Sequence, residues 1–166
     1  MQATLTSYYP GDLLFFAKRP GHLNEEAISA WTGSPFIHVA IAISAVQKIE
    51  ALANGIVLTP IDGRAVAASF SYTQHAHPLD PNRLHDALTW LIGQKGNLYG
   101  WGDIANAFLM KFETEVTLSV GNHLDCSALG TEFLMRAGGI DLGPLVNPHE
   151  VSPARLAQQL GVTAQV

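Results

Sequence analysis

Cysteine is nearly absent from this chain: Cys126 is the only one in 166 residues. A lone thiol cannot form an internal disulfide, and it fits a reducing compartment. Charge is scarce as well. Only 14% of the residues are charged against 48% hydrophobic, enough apolar content for a core and too much for a disordered chain. The net charge is −5, and the densest basic spot is the pair Lys18-Arg19, read as a solvated loop. Nucleic-acid affinity comes mainly from Lys and Arg clusters, so the acidic balance argues against a nucleic-acid backbone as main partner, and none is expected. No hydrophobic run approaches the ~20 residues needed to cross a bilayer, which argues against membrane insertion. The first nine residues hold neither a basic n-region nor an apolar h-region, so the expectation is a cytoplasmic protein without a secretory signal. Repeats, low-complexity tracts and long linkers are also missing. One domain over 1–166 is expected.

What is there reads in two halves. Gly11-Asp12 opens Leu13-Leu14-Phe15-Phe16, short enough for a buried strand. Asn24-Glu25-Glu26 predicts a helix start with acids in the first turn and Ile28 and Trp31 on one face, ended by Gly33-Ser34-Pro35. Three β-rich segments follow over 36–43, 48–53 and 56–59, with Asn54-Gly55 as a hairpin signal. A further strand is expected over 69–76. From Asp80 the period changes. Asp80 before Pro81 predicts an N-cap, and Leu84, Leu88, Leu91 and Ile92 form a helical stripe. Glycines 93, 96, 100 and 102 mark a loop around Leu98-Tyr99, and 104–112 reads as a second, apolar helix. A third helix is expected over 124–137, closed by Gly138-Gly139, and a last short one from Ser152-Pro153 to before Gly161. This order of strand, helix, strand meander and helices is an α+β layout.

The chemistry gathers on three residues. On a strand, His38, Ala40 and Ala42 share one face, while Ile37, Val39, Ile41 and Ile43 share the other. The branched face is the expected core. The small-residue face leaves room for another element, such as a helix that carries a nucleophile. Glu50 ends Lys48-Ile49-Glu50; if 44–47 is a hairpin turn, its carboxylate can reach His38 across the ladder, accept the ring N–H and fix the tautomer. An ordinary exposed strand glutamate is the alternative. Cys126 stands in His123-Leu124-Asp125-Cys126-Ser127, at the expected start of a helix. A helix N-terminus lowers a thiol pKa, and its backbone N–H groups can bind a developing oxyanion. The alternative is a small buried hydrophobe. Together these residues read as a cysteine nucleophile, with His38 as base and Glu50 as its orienting partner. His75-Ala76-His77 would direct two rings to one side of a strand, but two ligands without an acidic or cysteine partner nearby do not make a zinc site. No metal or cofactor is called for.

Gly11-Asp12-Leu13, His38-Val39-Ala40-Ile41, Ile49-Glu50-Ala51, Gly55-Ile56-Val57 and Asp125-Cys126-Ser127-Ala128-Leu129 follow one another in an order that resembles NlpC-type papain-fold enzymes. The closer resemblance is to their circularly permuted branch, in which the histidine strand precedes the cysteine helix. The resemblance spans roughly 11–139 and includes the twelve-residue step from His38 to Glu50. It implies a papain-like fold, with an antiparallel sheet or small barrel packed against helices, and a cysteine peptidase or amidase. Such an enzyme cleaves a peptide or cell-wall-type amide through a thioester acyl-enzyme. Its partner would be a small peptide or other amide-containing substrate. Tyr99, in Asn97-Leu98-Tyr99-Gly100-Trp101, matches a tyrosine that lines the site in similar enzymes, though it could equally anchor its loop. Asp125 and Ser127 flank the thiol as oxyanion or substrate-lining residues. Related permuted families act on acyl lipids as transferases or ester hydrolases. They typically carry Asn-Cys-Glu-His and often an anchoring helix, neither of which occurs here. A non-catalytic binding domain of the same fold is the remaining alternative.

Overall fold

A computed structural model describes residues 7–52, 55–61, 66–97, 126–143, 147–148 and 151–164, apart from the side chains of Asn24, Ile28 and Trp31. Tyr99, Asp125, the glycine loop beyond residue 97 and the helix expected over 104–112 lie outside the described residues, as does the shared face of Ile28 and Trp31. The elements in chain order are β1 (Leu13–Ala17), α1 (Leu23–Thr32), β2 (Phe36–Ala42), β3 (Gln47–Leu52), β4 (Gly55–Pro60), β5 (Ala68–Phe70), α2 (Tyr72–His75), α3 (Pro81–Gly93), α4 (Cys126–Ala137) and α5 (Pro153–Gln159).

The five strands form one antiparallel sheet in the order β4-β3-β2-β1-β5. The layout is α+β. β1 is Leu-Leu-Phe-Phe, so alternation sends Leu13 and Phe15 to one face and Leu14 and Phe16 to the other. All four are fully buried, because both faces of the sheet are covered. The larger core contains Leu13, Phe15, Val39, Ile41, Ile49 and Ile56 with Leu129 and Phe133 of α4. A smaller one joins Leu14, Phe16, Ala40 and Ala42, with Tyr8, Ile61 and Val66 packed against it. β2 and β3 pair as the expected hairpin. The amides of Ile43 and Ser44 donate to the Gln47 carbonyl, and the Ser44 hydroxyl accepts from the Val46 and Gln47 amides.

Two elements depart from the sequence reading. The strand expected over 69–76 stops at Phe70, and residues 72–75 form the single turn α2. The cause is tertiary. Tyr72 is fully buried, and its hydroxyl donates to the carbonyls of Ala137 and Gly138 at 3.0 and 2.8 Å, which draws the chain out of the sheet toward the end of α4. In α3 the buried residues are Ala87 and Leu91, whereas Ile92 is exposed. Ala87 is one turn from Leu91 and Ile92 sits about 100° round the helix from it. The helix ends follow their local signals. Asp80 accepts from the amides of Asn82 and Arg83, Ser152 accepts from Arg155, and Gly33 closes α1 in the left-handed region. Gly138 closes α4 at φ +69, and a Cβ there would meet the Arg83 guanidinium, which donates to the Arg136 carbonyl. Among the described residues no helix is long and apolar enough to cross a membrane.

Candidate active site

Nε2 of His38 lies 2.8 Å from Oε2 of Glu50, with both side chains more than nine-tenths buried. The antiparallel pairing of β2 with β3 brings them together, since His38, Ala40, Ala42, Lys48 and Glu50 all alternate to the face that carries Phe16. Glu50 is therefore not the exposed strand residue of the alternative reading. Donation from Nε2–H to the carboxylate puts the ring proton on Nε2 and the basic lone pair of the neutral imidazole on Nδ1.

Lys48 completes this cluster, and the sequence reading did not single it out. Its Nζ donates to Oε1 of Glu50 and, at 2.7 Å, to the Thr59 hydroxyl, which in turn donates to the same carboxylate oxygen at 2.6 Å. The ammonium also stands over the Phe16 ring, 5.5 Å from its centroid, and that ring packs at 5.7 Å from the imidazole of His38. Burial pushes the Glu50 carboxyl up, but the hydrogen bonds from His38, Lys48 and Thr59 outweigh it and hold the group at about 2. The two alanines of β2 thus make room for a long lysine side chain.

That finding corrects one expectation. The alanine face was expected to receive the nucleophile helix, but it is covered by Tyr8, Ile61 and Val66. α4 packs on the other face, where a Cβ on Gly130 would lie 3.6 Å from Leu13 and 3.7 Å from Val39. The branched residues offer the larger apolar area there, and Gly130 allows the close approach.

Cys126 is the first residue of α4 and is 6% exposed. Phe133 of the same helix lies against Gly11, whose amide bonds the Ala42 carbonyl at the far end of β2. α4 therefore runs alongside β2 in the same direction. Four residues of helix span about 6 Å, or about two residues of strand, so the turn before Gly130 lies toward the Phe36–His38 end. At that end the pairing with β1 shifts register between Phe16 and Ala17, a β-bulge of the kind that re-aims side chains. Ser127 is buried, and its hydroxyl donates to the Val151 carbonyl at 2.6 Å, tying the first turn of α4 to the segment before α5. His75 and His77 do not share a strand face. His75 ends α2 and donates from Nδ1 to the Ser71 carbonyl, and no group of three or more His, Cys, Asp or Glu among the described residues could hold a metal ion.

A groove of about 870 Å³ opens beyond the start of β2, between the turn at Gly33–Phe36 and α5, with Pro35, Phe36, Ala157 and Val162 as apolar walls and Arg155 at its side. Cys126, His38 and Glu50 are not among its lining residues. Comparison with known proteins returns no matching family model, no matching curated sequence and no matching solved structure.

Proposed function

We propose that the protein is a cysteine-nucleophile hydrolase that cleaves an amide bond, with the thiol of Cys126 attacking the carbonyl and His38 acting as base and then acid. The observation that carries this reading is the buried hydrogen bond between His38 and Glu50. A histidine whose tautomer is fixed by a carboxylate is the arrangement that general-base activation of a thiol requires. A second support is α4, whose described residues begin at Cys126 and which runs alongside β2, the strand of His38. The reading requires Sγ and Nδ1 to meet round the start of β2, at the bulge. Proton transfer from sulfur to Nδ1 then yields the thiolate, and attack on the carbonyl gives a tetrahedral intermediate. The imidazolium protonates the leaving amine, and water resolves the thioester. The resemblance to circularly permuted NlpC-type enzymes supports a peptide or cell-wall-type amide as substrate.

Covalent labelling tests the assignment. An amide-type electrophilic probe should modify the folded protein at Cys126, and Cys126→Ala should abolish the label. Labelling by an acyl-lipid probe alone would transfer the protein to the lipid-acting reading. A folded protein that takes neither label would contradict both.

A further inference from the structure

The Glu50 carboxylate serves two partners of potentially like charge. Oε2 meets His38 at 2.8 Å, and Oε1 accepts from both Lys48 and Thr59. The side chains of His38, Glu50 and Lys48 are 9%, 7% and 6% exposed, so any net charge on the cluster is carried almost without water. Buried charge is tolerated when it is balanced and is costly when it is not. Among the described residues the cluster holds one ammonium and one carboxylate, and these three side chains together are neutral only while His38 is neutral. An imidazolium would add one positive charge to these three side chains, and a thiolate formed with it would offset that charge. Without the ammonium the balance reverses, and the carboxylate by itself favours a protonated ring.

We propose that Lys48 is a positioning residue of this site: by sharing Glu50 it keeps that carboxylate from holding a proton on His38 until the thiol of Cys126 gives one up. The proposal rests on the reading of Cys126 and His38 as nucleophile and base. The step it governs is a transfer within the site. The S–H bond breaks, the Nδ1–H bond forms, sulfur keeps the electron pair, and the total charge is unchanged. A ring already held in its protonated form beside the Glu50 carboxylate could not accept that proton.

Other groups facing the cluster, among the described residues, leave the charge count intact. Phe16 on β1 and Thr59 on β4 are uncharged. Tyr8 packs on the same face, and burial, with the charge of Asp12, pushes its phenol up, so it stays neutral. Asp12 lies four residues before Phe16, roughly 13 Å away along an extended strand. On α4, Glu132 and Arg136 pair with each other at 2.7 Å on the more exposed side, and Arg155 of α5 is exposed.

The test is an NMR titration of the His38 ring in a Cys126→Ala background, which removes the thiolate; the resonance is assigned by its loss in His38→Gln. Lys48→Gln should raise the titration midpoint by on the order of one pH unit, about tenfold in proton affinity. Lys48→Arg should restore the original midpoint, which a purely space-filling role would not require. Should Lys48→Gln not fold, Thr59→Val, which removes the hydroxyl between the two charges, should move the midpoint upward by a smaller amount. An unmoved or lowered midpoint in the folded variant overturns the proposal. A raised midpoint beside a Cys126 that reacts as an ordinary thiol would refute the hydrolase reading and keep the charge balance. A reactive Cys126 beside an unmoved midpoint would refute the role of Lys48 alone.

Discussion

Glu50 separates charge from shape at the scale of one residue. Glu50→Gln keeps the outline of the side chain but leaves the ammonium of Lys48 buried beside a neutral amide. Removing one partner of a buried ion pair costs about 3–5 kcal/mol, and a loss of that order is expected in urea unfolding at pH 7. A difference below about 1 kcal/mol would contradict the cluster as described. The same residue predicts an acid dependence. Its carboxyl is held at about 2 in the folded chain, below the ordinary 4.5. A depressed folded value stabilises fully above the unfolded value, and that stabilisation is lost as the pH falls from about 4.5 through about 2, amounting to roughly 3 kcal/mol. Glu50→Gln should flatten the stability curve in that window, as read by denaturant midpoints from pH 2 to 5. The His38–Glu50 contact was legible in the sequence, because a hairpin over 44–47 brings the two strands into one ladder. Lys48 was not. A strand lysine ordinarily reads as solvent-facing, and only the alanines at 40 and 42 hint that a long side chain folds inward over them.

Elements with local signals behave as those signals dictate, and two substitutions measure this. Asp80 accepts two amides at the start of α3, so Asp80→Ala should lower stability by about 1 kcal/mol without touching thiol reactivity. Gly130 is a different case. A Cβ there would lie 3.3 Å from Cδ2 of Leu156, itself fully buried, and close to Leu13 and Val39. Gly130→Val should therefore cost about 1–3 kcal/mol through overpacking, and by lifting the first turn of α4 off β2 it should also slow alkylation of Cys126. Unchanged melting and alkylation would mean that α4 does not rest on the sheet there. Caps and glycine stops at 80, 138 and 152 were legible because their chemistry is confined to a few neighbouring residues. The end of β5 was not, since a hydrogen bond from Tyr72 to Gly138, across 66 residues of chain, decides it. The exposure of Ile92 was lost for a related reason: a helical stripe gives a period, and the facing element chooses its phase.

Across the whole molecule, the sheet order β4-β3-β2-β1-β5 sets β5 beside β1 rather than beside its predecessor β4. That pairing, like the face on which α4 docks, is a long-range choice that hydropathy alternation leaves open. The antiparallel β2–β3–β4 meander was legible, because the two hairpin turns are short and their flanks are apolar. So was the helix that carries the thiol, from Cys126 to its glycine stop at Gly138. In the proposed mechanism a helix N-terminus and a carboxylate-held histidine, supplied by elements 88 residues apart in sequence, act on one sulfur. Iodoacetamide alkylation of Cys126, followed as a function of pH in the wild type and in His38→Ala, tests it most directly. Alkylation of the wild type should stay fast down to mildly acid pH, with a midpoint well below the ~8.5 of a free thiol, and His38→Ala should lose that advantage. If both proteins instead follow the titration of an unperturbed thiol, Cys126 and His38 do not form a working pair and the hydrolase mechanism fails.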